Sequence, residues 1–539
     1  MSEREREDWR AQAKFLKAYY HFLLLRQYGP MIISDVAVPL DAIDSDLFQR
    51  RNKVEDVFDY IIGLLDEAIY GPRPHKPGDI RGLAETREVA DMGMIDRAGA
   101  MGIKARVLLY RASPFYSGNV EYFVDFLDHD GQSFFSMDQS DATRKAKWKA
   151  AADAADECIR YALSIGKQLY RFEGVPYLYD STDFRLNRDK MQTLYDLRTL
   201  ITTPYNKEML WVNSNINITA DGEIQNACNM RVPYENYDNN GVGVANGFSW
   251  QWLCASYNVA ARYLTKNGLP MDEDPNFNVN NNFNTIFTPA IDDSDYTELR
   301  GYLQPGRETA RFNLNREPRF YANLGISAGY FRTQFARIRT MMYKNDEGGH
   351  MSSFDANQRY DYYCTGIAIK KLVHPESKSN NWQRVVRFPY PIIRLADLYL
   401  MKAEALNEYL DAPESEVWDA INEVRRRAGI PDVEDSWSYA VKNRNWHTTK
   451  AGMREIILRE RSSELAFEGH RFWDMYRYRR CETEFSVPIY GWDSEAEAAN
   501  VFFILQPKQV RMFTERDYLW PISLSELNIN GNLIQNPGW

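Results

Sequence analysis

The stretch Met453–Arg480, MREIILRERSSELAFEGHRFWDMYRYRR, decides the fold. Met453, Ile456 and Ile457 open an apolar face at helical spacing, so the run reads as a long amphipathic helix broken near Gly469. Glu460 and Glu464 continue that face, followed by Phe467 and Arg471. Surface helices keep charges off the buried stripe, and a carboxylate there is costly unless paired. The spacing therefore predicts a partly buried ion-pair network containing Glu460, Glu464 and Arg471. Two readings compete with it. The helix could be rotated so that its acids meet water, or the acids could form a catalytic acid/base pair, although nothing else marks a reaction centre.

Working outward, Ile393, Ala396, Leu400, Ala403 and Leu406 repeat the helical pattern upstream, and Val417, Ile421, Val424 and Ala428 form its partner, closed by Gly429 and Pro431. Arg394 and Glu404 lie in this apolar segment, Pro389 to Glu408, and are the first candidates to join the Glu464 network. Near the start, Ala11, Phe15, Ala18, Phe22 and Leu25 mark a helix over Arg10 to Tyr28, stopped by Gly29-Pro30. Val54 to Ala68, Ala98 to Ala112 and Trp148 to Ala162 mark three more. They read as two helix pairs of the tetratricopeptide kind. Each pair is too small to bury its apolar face alone, so neighbours must stack.

Between these ends, from Leu169 to about Phe388, Asn, Asp, Gly, Pro and aromatic residues dominate. A helix is expected at Trp252 to Leu264, stopped by Asn267-Gly268, with short strands at Met209 to Asn213, Phe320 to Ile326 and Ile367 to Val373. The region is too long for a structureless loop in a compact protein. The expected fold is thus mostly α: tetratricopeptide-like helical pairs at both ends form one scaffold that carries a large loop-rich lobe with short strands. The parts run 1–168, 169–388 and 389–539, within one connected body.

Four segments, in order, resemble the SusD/RagB family. They are AKFLKAYYHFLLLRQYGP near the start, PYPIIRLADLYLMKAEALNE at Pro389 to Glu408, Glu460 to Asp474 as a version of ERxxELAFEGHRxxD, and LWPISLSELNINGNLIQNPGW at the end. The segments EPRFYANLGISAGYF and YCTGIAIKKLVHPE also look like family strands. The resemblance implies a non-catalytic cell-surface lipoprotein that captures nutrient, usually glycan, for a SusC-like, TonB-dependent transporter of the outer membrane. It also implies a signal peptide and a lipobox cysteine ahead of the first helix. The first cysteine here is Cys158, so that anchor, and the first helical elements of the family fold, are expected to lie outside this sequence.

Composition narrows the partners. A net charge of −10 argues against nucleic acid or an anionic membrane. The one basic run interleaved with aromatics, Tyr476 to Arg480, is short and reads as a solvated helix end. The five cysteines are widely spaced and odd in number, and fit neither a disulfide framework nor a zinc site. Cys158 and Cys254 lie in apolar patterns and are expected in the core.

Candidate sites remain. Gly325 to Gly329, GISAG, matches a nucleophile elbow, but that motif needs a helix after it, and the following YFRTQF has strand-like composition. No cofactor is expected. Asp272, Asp274, Asn276 and Asn278 give alternating oxygens suited to calcium, yet without the turn glycine and closing glutamate of a calcium loop. Aromatics in polar loop sequence say more. A flat ring covers the C–H face of a sugar while neighbouring amides and carboxylates bond its hydroxyls. Tyr234, Tyr237, Trp250 and Trp382 are the candidate platforms, with Asn236, Asp238 and Asn239 as hydroxyl partners. The expected activity is binding of oligosaccharide without catalysis. Its rivals are a glycan hydrolase, a helical-repeat scaffold for protein partners, and capture of a peptide or other nutrient.

Overall fold

The computed structural model describes residues 2–72, 81–118, 120–138, 140–174, 188–215, 223–230, 250–277, 283–290, 298–331, 341–346, 348–350, 361–377 and 385–539. Four long helices lead the chain: α1 Glu3–Tyr28, α2 Val54–Tyr70, α3 Arg97–Ala112 and α4 Asp141–Ser164. α1 starts a full two turns earlier than its apolar spacing predicts. Ser2 and Glu5 form a reciprocal capping box that extends it into charged sequence. Four more helices close the chain: α5 Leu395–Tyr409, α6 Ser415–Arg427, α7 Lys450–Glu464 and α8 His470–Arg477.

Each helix packs on the next, α1 on α2, α2 on α3, α3 on α4, and α4 directly on α5, although the whole lobe is inserted between α4 and α5. One apolar core accordingly joins Phe15, Phe22, Ile61 and Trp148 from the first part to Leu398, Met401 and Tyr476 from the last. Stacking of the two ends gives the insertion its base.

The lobe is tied to that base by two strands, β1 Met209–Asn213 and β2 Tyr390–Arg394, which pair antiparallel. It has a second core, where Leu324, Ile326 and Ala368 meet Trp492, Phe502 and Phe503. Trp492 ends strand β3, Ile489–Trp492, which pairs antiparallel with β4, Leu505–Gln509, and Phe502 and Phe503 lie in the connection between them. Part of 389–539 therefore completes the lobe and not the helical stack.

Three local expectations change. The run Phe320 to Ile326 begins as a helix, Pro318–Asn323, because Pro318 fits the first helical turn, and only Leu324–Gly325 is strand. Likewise, only Ala368–Ile369 of Ile367 to Val373 is strand. The helix expected from Trp252 shrinks to Tyr257–Arg262, capped by Ser256, because Cys254 is drawn into a strand-like bridge with Ala368.

The closing segment is sewn onto the opening helix by Arg51. Its guanidinium donates to the carbonyls of Tyr28 (2.8 Å), Pro30 (2.8 Å) and Ile534 (2.6 Å) and to Asn536 Oδ1 (2.7 Å). Burial lowers its pKa to about 9. A lysine cannot present that planar fork. Arg51→Lys is expected to cost on the order of 2 kcal/mol, read as a lower urea midpoint at unchanged slope.

Candidate functional site

Two regions hold the residues singled out from sequence: a buried charge cluster and a ring-bearing surface of the lobe. The cluster forms where β1 and β2 meet α7. Glu208 immediately precedes β1 and Arg394 ends β2, and the strand pairing brings them to 2.7 Å. Arg394 also pairs with Glu464 on α7 (2.7 Å) and Glu468 (2.8 Å). Arg427 of α6 bridges Glu208 (2.8 Å) and Glu464. Arg319 from the lobe reaches Glu464 (3.1 Å), Glu460 (2.5 Å) and Glu317 (2.5 Å). Arg425 meets Glu460 at 2.9 Å, and Lys371 meets Glu468 at 2.6 Å.

Among the described residues, five carboxylates (Glu208, Glu317, Glu460, Glu464, Glu468) thus face five cations (Arg319, Lys371, Arg394, Arg425, Arg427), so this interior is neutral as a whole. Gly268 belongs to the same packing. Its carbonyl accepts from Arg425 Nη2 at 3.0 Å, its φ of +73° lies in the left-handed region that favours glycine, and a Cβ there would sit 2.2 Å from that nitrogen.

A second cluster lies on the other side of α7. Arg461 holds Asp397 (2.9 Å) and Asp474 (2.9 Å), Arg106 of α3 holds Asp397 (2.8 Å), and Arg477 holds Asp474 (2.9 Å) and Glu404. The structure thus brings Arg394, Glu460 and Glu464 together and puts Glu404 in this neighbouring group. Arg471 stands apart from both and pairs with Glu484 at 3.1 Å, half exposed, because the turn through Phe467 (φ +65°) and Gly469 (φ +81°) rotates α8 relative to α7. The Tyr476–Arg480 run is no solvated helix end: Tyr476 and Arg477 are fully buried.

These charges are committed to one another as buried ion pairs. Burial alone would raise Glu464, but Arg427, Arg394, Arg319 and Lys371 hold it well below the usual range. Against the same burial, Arg394 and Lys371 bring Glu468 down to about 2, and Arg461 and Arg477 bring Asp474 to about 2. Glu460 and Glu464 are 1–2% exposed, so no substrate reaches them as an acid/base pair. Ser327 of GISAG is also buried, its Oγ accepts from the Met342 N–H (3.2 Å), and a turn instead of a helix follows it. In the calcium-like run, Asp274 accepts from Thr265, Asn267 and the Asn276 N–H, and Asp272 pairs with Lys442. Asn278 lies outside the described residues.

On the lobe surface, Trp250 and Trp252 stack at 4.6 Å with 20° between planes. Trp252 is 56% exposed and Leu253 beside it 46%. The segment is fixed from behind: the N–H groups of Trp250 and Leu253 donate to the carbonyls of Asn226 (2.8 Å) and Ala227 (3.0 Å). Trp252 Nε1 donates to the buried Asp361 carboxylate at 2.7 Å. Between the indoles, Gln251 is buried in the left-handed region at φ +56°, an unfavourable conformation that the neighbouring ties hold in place. Nearby in sequence to Asp361, Tyr362 stacks on His350 at 4.4 Å, and His350 and Lys344 both reach Glu495 at 3.0 Å. Flat rings and hydroxyl-bonding groups are thus carried by segments that the Trp252–Asp361 bond joins. Trp252 is hidden in the sequence because it opens an apparent helical pattern, Trp252 to Leu264. Of the other candidate platforms and partners, Tyr234, Asn236, Tyr237, Asp238, Asn239 and Trp382 lie outside the described residues.

The SusD family model matches residues 207–539, which include both charge clusters except Arg106. The chain belongs to the SusD family. SusD-like proteins P2 and P38 of Formosa agariphila are 33% and 31% identical over 151 and 145 residues, or 28% and 27% of this chain. Those matches span about a quarter of the curated relatives' own length, 26% and 24%. Among solved structures, BT4246 is 25% identical with a TM-score of 0.79, covering 100% of this chain and 85% of its own. A SusD-like protein (BF3747) from Bacteroides fragilis is 17% identical with a TM-score of 0.66, covering 100% and 81%. The SusD-like carbohydrate binding protein BF0978 from the same species is 17% identical with a TM-score of 0.57, covering 99% and 81%; both of these show the shared fold.

Two predictions follow from the charges. Glu464→Gln leaves buried guanidinium groups without their counter-charge and is expected to destabilise by about 3–5 kcal/mol, read by urea unfolding. His374 and His470 are lowered by burial to about 4 from an ordinary 6.5, so the stability they carry is complete above pH 6.5 and is lost as pH falls toward 4. Glu464, Glu468 and Asp474 add losses below pH 4.5, continuing toward 2. Calorimetry should show Tm falling from below pH 6.5 and more steeply below 4.5; a constant Tm between pH 7 and 4 would contradict this.

Proposed function

We propose that this SusD-family chain binds oligosaccharide at the cell surface, without catalysis, and passes it to a SusC-like, TonB-dependent outer-membrane transporter. The observation that carries the ligand class is the Trp250–Trp252 pair, stacked, half open to solvent and anchored through Asp361. An exposed indole offers a flat apolar plate for the C–H face of a sugar ring, and its fixed orientation removes part of the ordering cost of binding. Tyr362, His350, Lys344 and Glu495 supply hydroxyl-bonding groups on the adjoining surface, and Tyr234, Asn236, Tyr237, Asp238, Asn239 and Trp382 remain proposed contributors. The carbohydrate-binding name of the fold-sharing BF0978 protein agrees with this ligand class.

No helix among the described residues is long and apolar enough to cross a membrane. Surface attachment is proposed through the lipid anchor that the family resemblance implies. Nucleic acid is not a proposed partner, given the net charge of −10.

Isothermal titration against a panel of neutral and acidic oligosaccharides tests the reading. Trp252→Ala is expected to weaken binding of the preferred glycan at least tenfold, about 1.4 kcal/mol. Trp250→Ala and Trp382→Ala should each weaken it as well. Incubation with the same glycan should release no new reducing ends. Unchanged affinity in all three variants would remove the platform, and release of ends would make the protein a hydrolase.

A further inference from the structure

Cys254 and Cys364 are 110 positions apart in the chain, yet their Sγ atoms lie 3.6 Å from each other. The two segments that carry them run side by side and are tied at several points. Trp252 Nε1 donates to Asp361, the Ala255 N–H donates to the Ile367 carbonyl (2.9 Å), and Thr365 Oγ1 donates to the Ala255 carbonyl (2.6 Å). Cys254 also bridges Ala368. Cys254 is therefore not the core residue its sequence context suggests. It is half-buried and Cys364 is exposed, whereas Cys158, Cys228 and Cys481 are all buried. We propose that Cys254 and Cys364 are a disulfide-forming pair, whose closure pins the Trp250–Trp252 segment to residues 361–368.

The electrostatics suit thiol–disulfide exchange. The hydrogen bond between the two sulfurs holds the Cys254 thiol below its usual range and pushes Cys364 above it, which favours Cys254 as the attacking sulfur. The thiolate is the nucleophile in disulfide exchange. The oxidant is a small-molecule disulfide. Cys254 Sγ attacks one of its sulfurs, breaking that S–S bond and releasing one thiolate. Cys364 then loses its proton and attacks the Cys254 sulfur of the mixed disulfide, expelling the second thiolate. Two protein thiols are oxidised, one external disulfide is reduced to two thiols, and the two protons leave with them. The neighbouring ties already hold the two backbones together, so closure requires side-chain rotation and no rearrangement of the lobe.

The test uses the full chain, incubated with oxidised glutathione, then denatured and alkylated together so that the buried thiols are reached, and digested without reductant. Alkylation is expected to label three cysteines after oxidation, against five after dithiothreitol, and one linked peptide pair should carry Cys254 and Cys364, two hydrogens lighter than the separate peptides. C364S and C254S should each abolish that pair while keeping the circular dichroism spectrum of the parent, and C228S should keep the pair. Labelling of all five cysteines after oxidation, or a link through Cys228, would overturn the proposal. The readout is mass and does not depend on which ligand the protein binds.

Discussion

The structure turns on Glu464. Its carboxylate sits out of reach of water among Arg319, Arg394 and Arg427, three guanidinium groups delivered by the lobe, by β2 and by α6. Removing an ion from water costs several kcal/mol even after relaxation, and that cost is offset only where every charge finds good partners. The ten groups of the cluster, Glu464 among them, meet this condition by being five of each sign and mutually bonded. No single element of the chain supplies both signs in sufficient quantity. The balance exists only when the lobe, the strand pair and the late helices are in place together, so the cluster acts as an assembly condition as well as a set of contacts.

That condition explains how a large loop-rich lobe is held by a two-stranded base. Its attachment through β1 and β2 is short, but Glu208, Arg319 and Lys371 reach from it into the interior of the helical part, and Ala466 from beyond α7 enters the lobe core. The second cluster does the same for the opening helices, through Arg106 on Asp397 and Arg477 on Ser113 (3.1 Å). α7 therefore faces both ways, with Glu460 and Glu464 toward the lobe and Arg461 toward α5 and α8. With the base fixed by the interior, the outer face of the lobe is free to carry exposed rings and a strained residue such as Gln251 without endangering the fold.

The sequence made the helices readable because apolar spacing alone specifies them, and the helical boundaries at Tyr28, Ala112 and Gly429 coincide with Gly or Ser-Pro stops. It also marked Glu460 and Glu464, since acids on an apolar stripe are anomalous wherever they occur. Their partners were less legible. Glu208, Arg319 and Lys371 sit in stretches with no periodicity, and nothing local distinguishes a buried arginine from a solvated one. Arg477 shows the difficulty: its neighbours Arg479 and Arg480 made the run look solvated, while its side chain is wholly enclosed by Glu404, Asp474 and Ser113. Arg471 erred in the other direction, because the left-handed turn at Phe467 breaks the helical phase that was used to place it.

The same limit bears on the ring surface. Trp250 was legible as an aromatic in polar sequence, but its stacking partner Trp252 was hidden by an apparent helical pattern, and Asp361 and Cys364 come from more than a hundred residues away. What orients the indoles is a set of cross-segment ties: a carboxylate on an indole N–H, carbonyls on backbone N–H groups and two sulfurs in contact. Each tie is weak alone, and each is unreadable from spacing because its two halves are distant in the chain. Their concentration on the few residues that present exposed rings argues that orientation of those rings, and not burial of them, is what the local sequence is built to achieve. Trp492, a ring of the lobe core, is instead enclosed by Tyr257, Phe312 and Phe503.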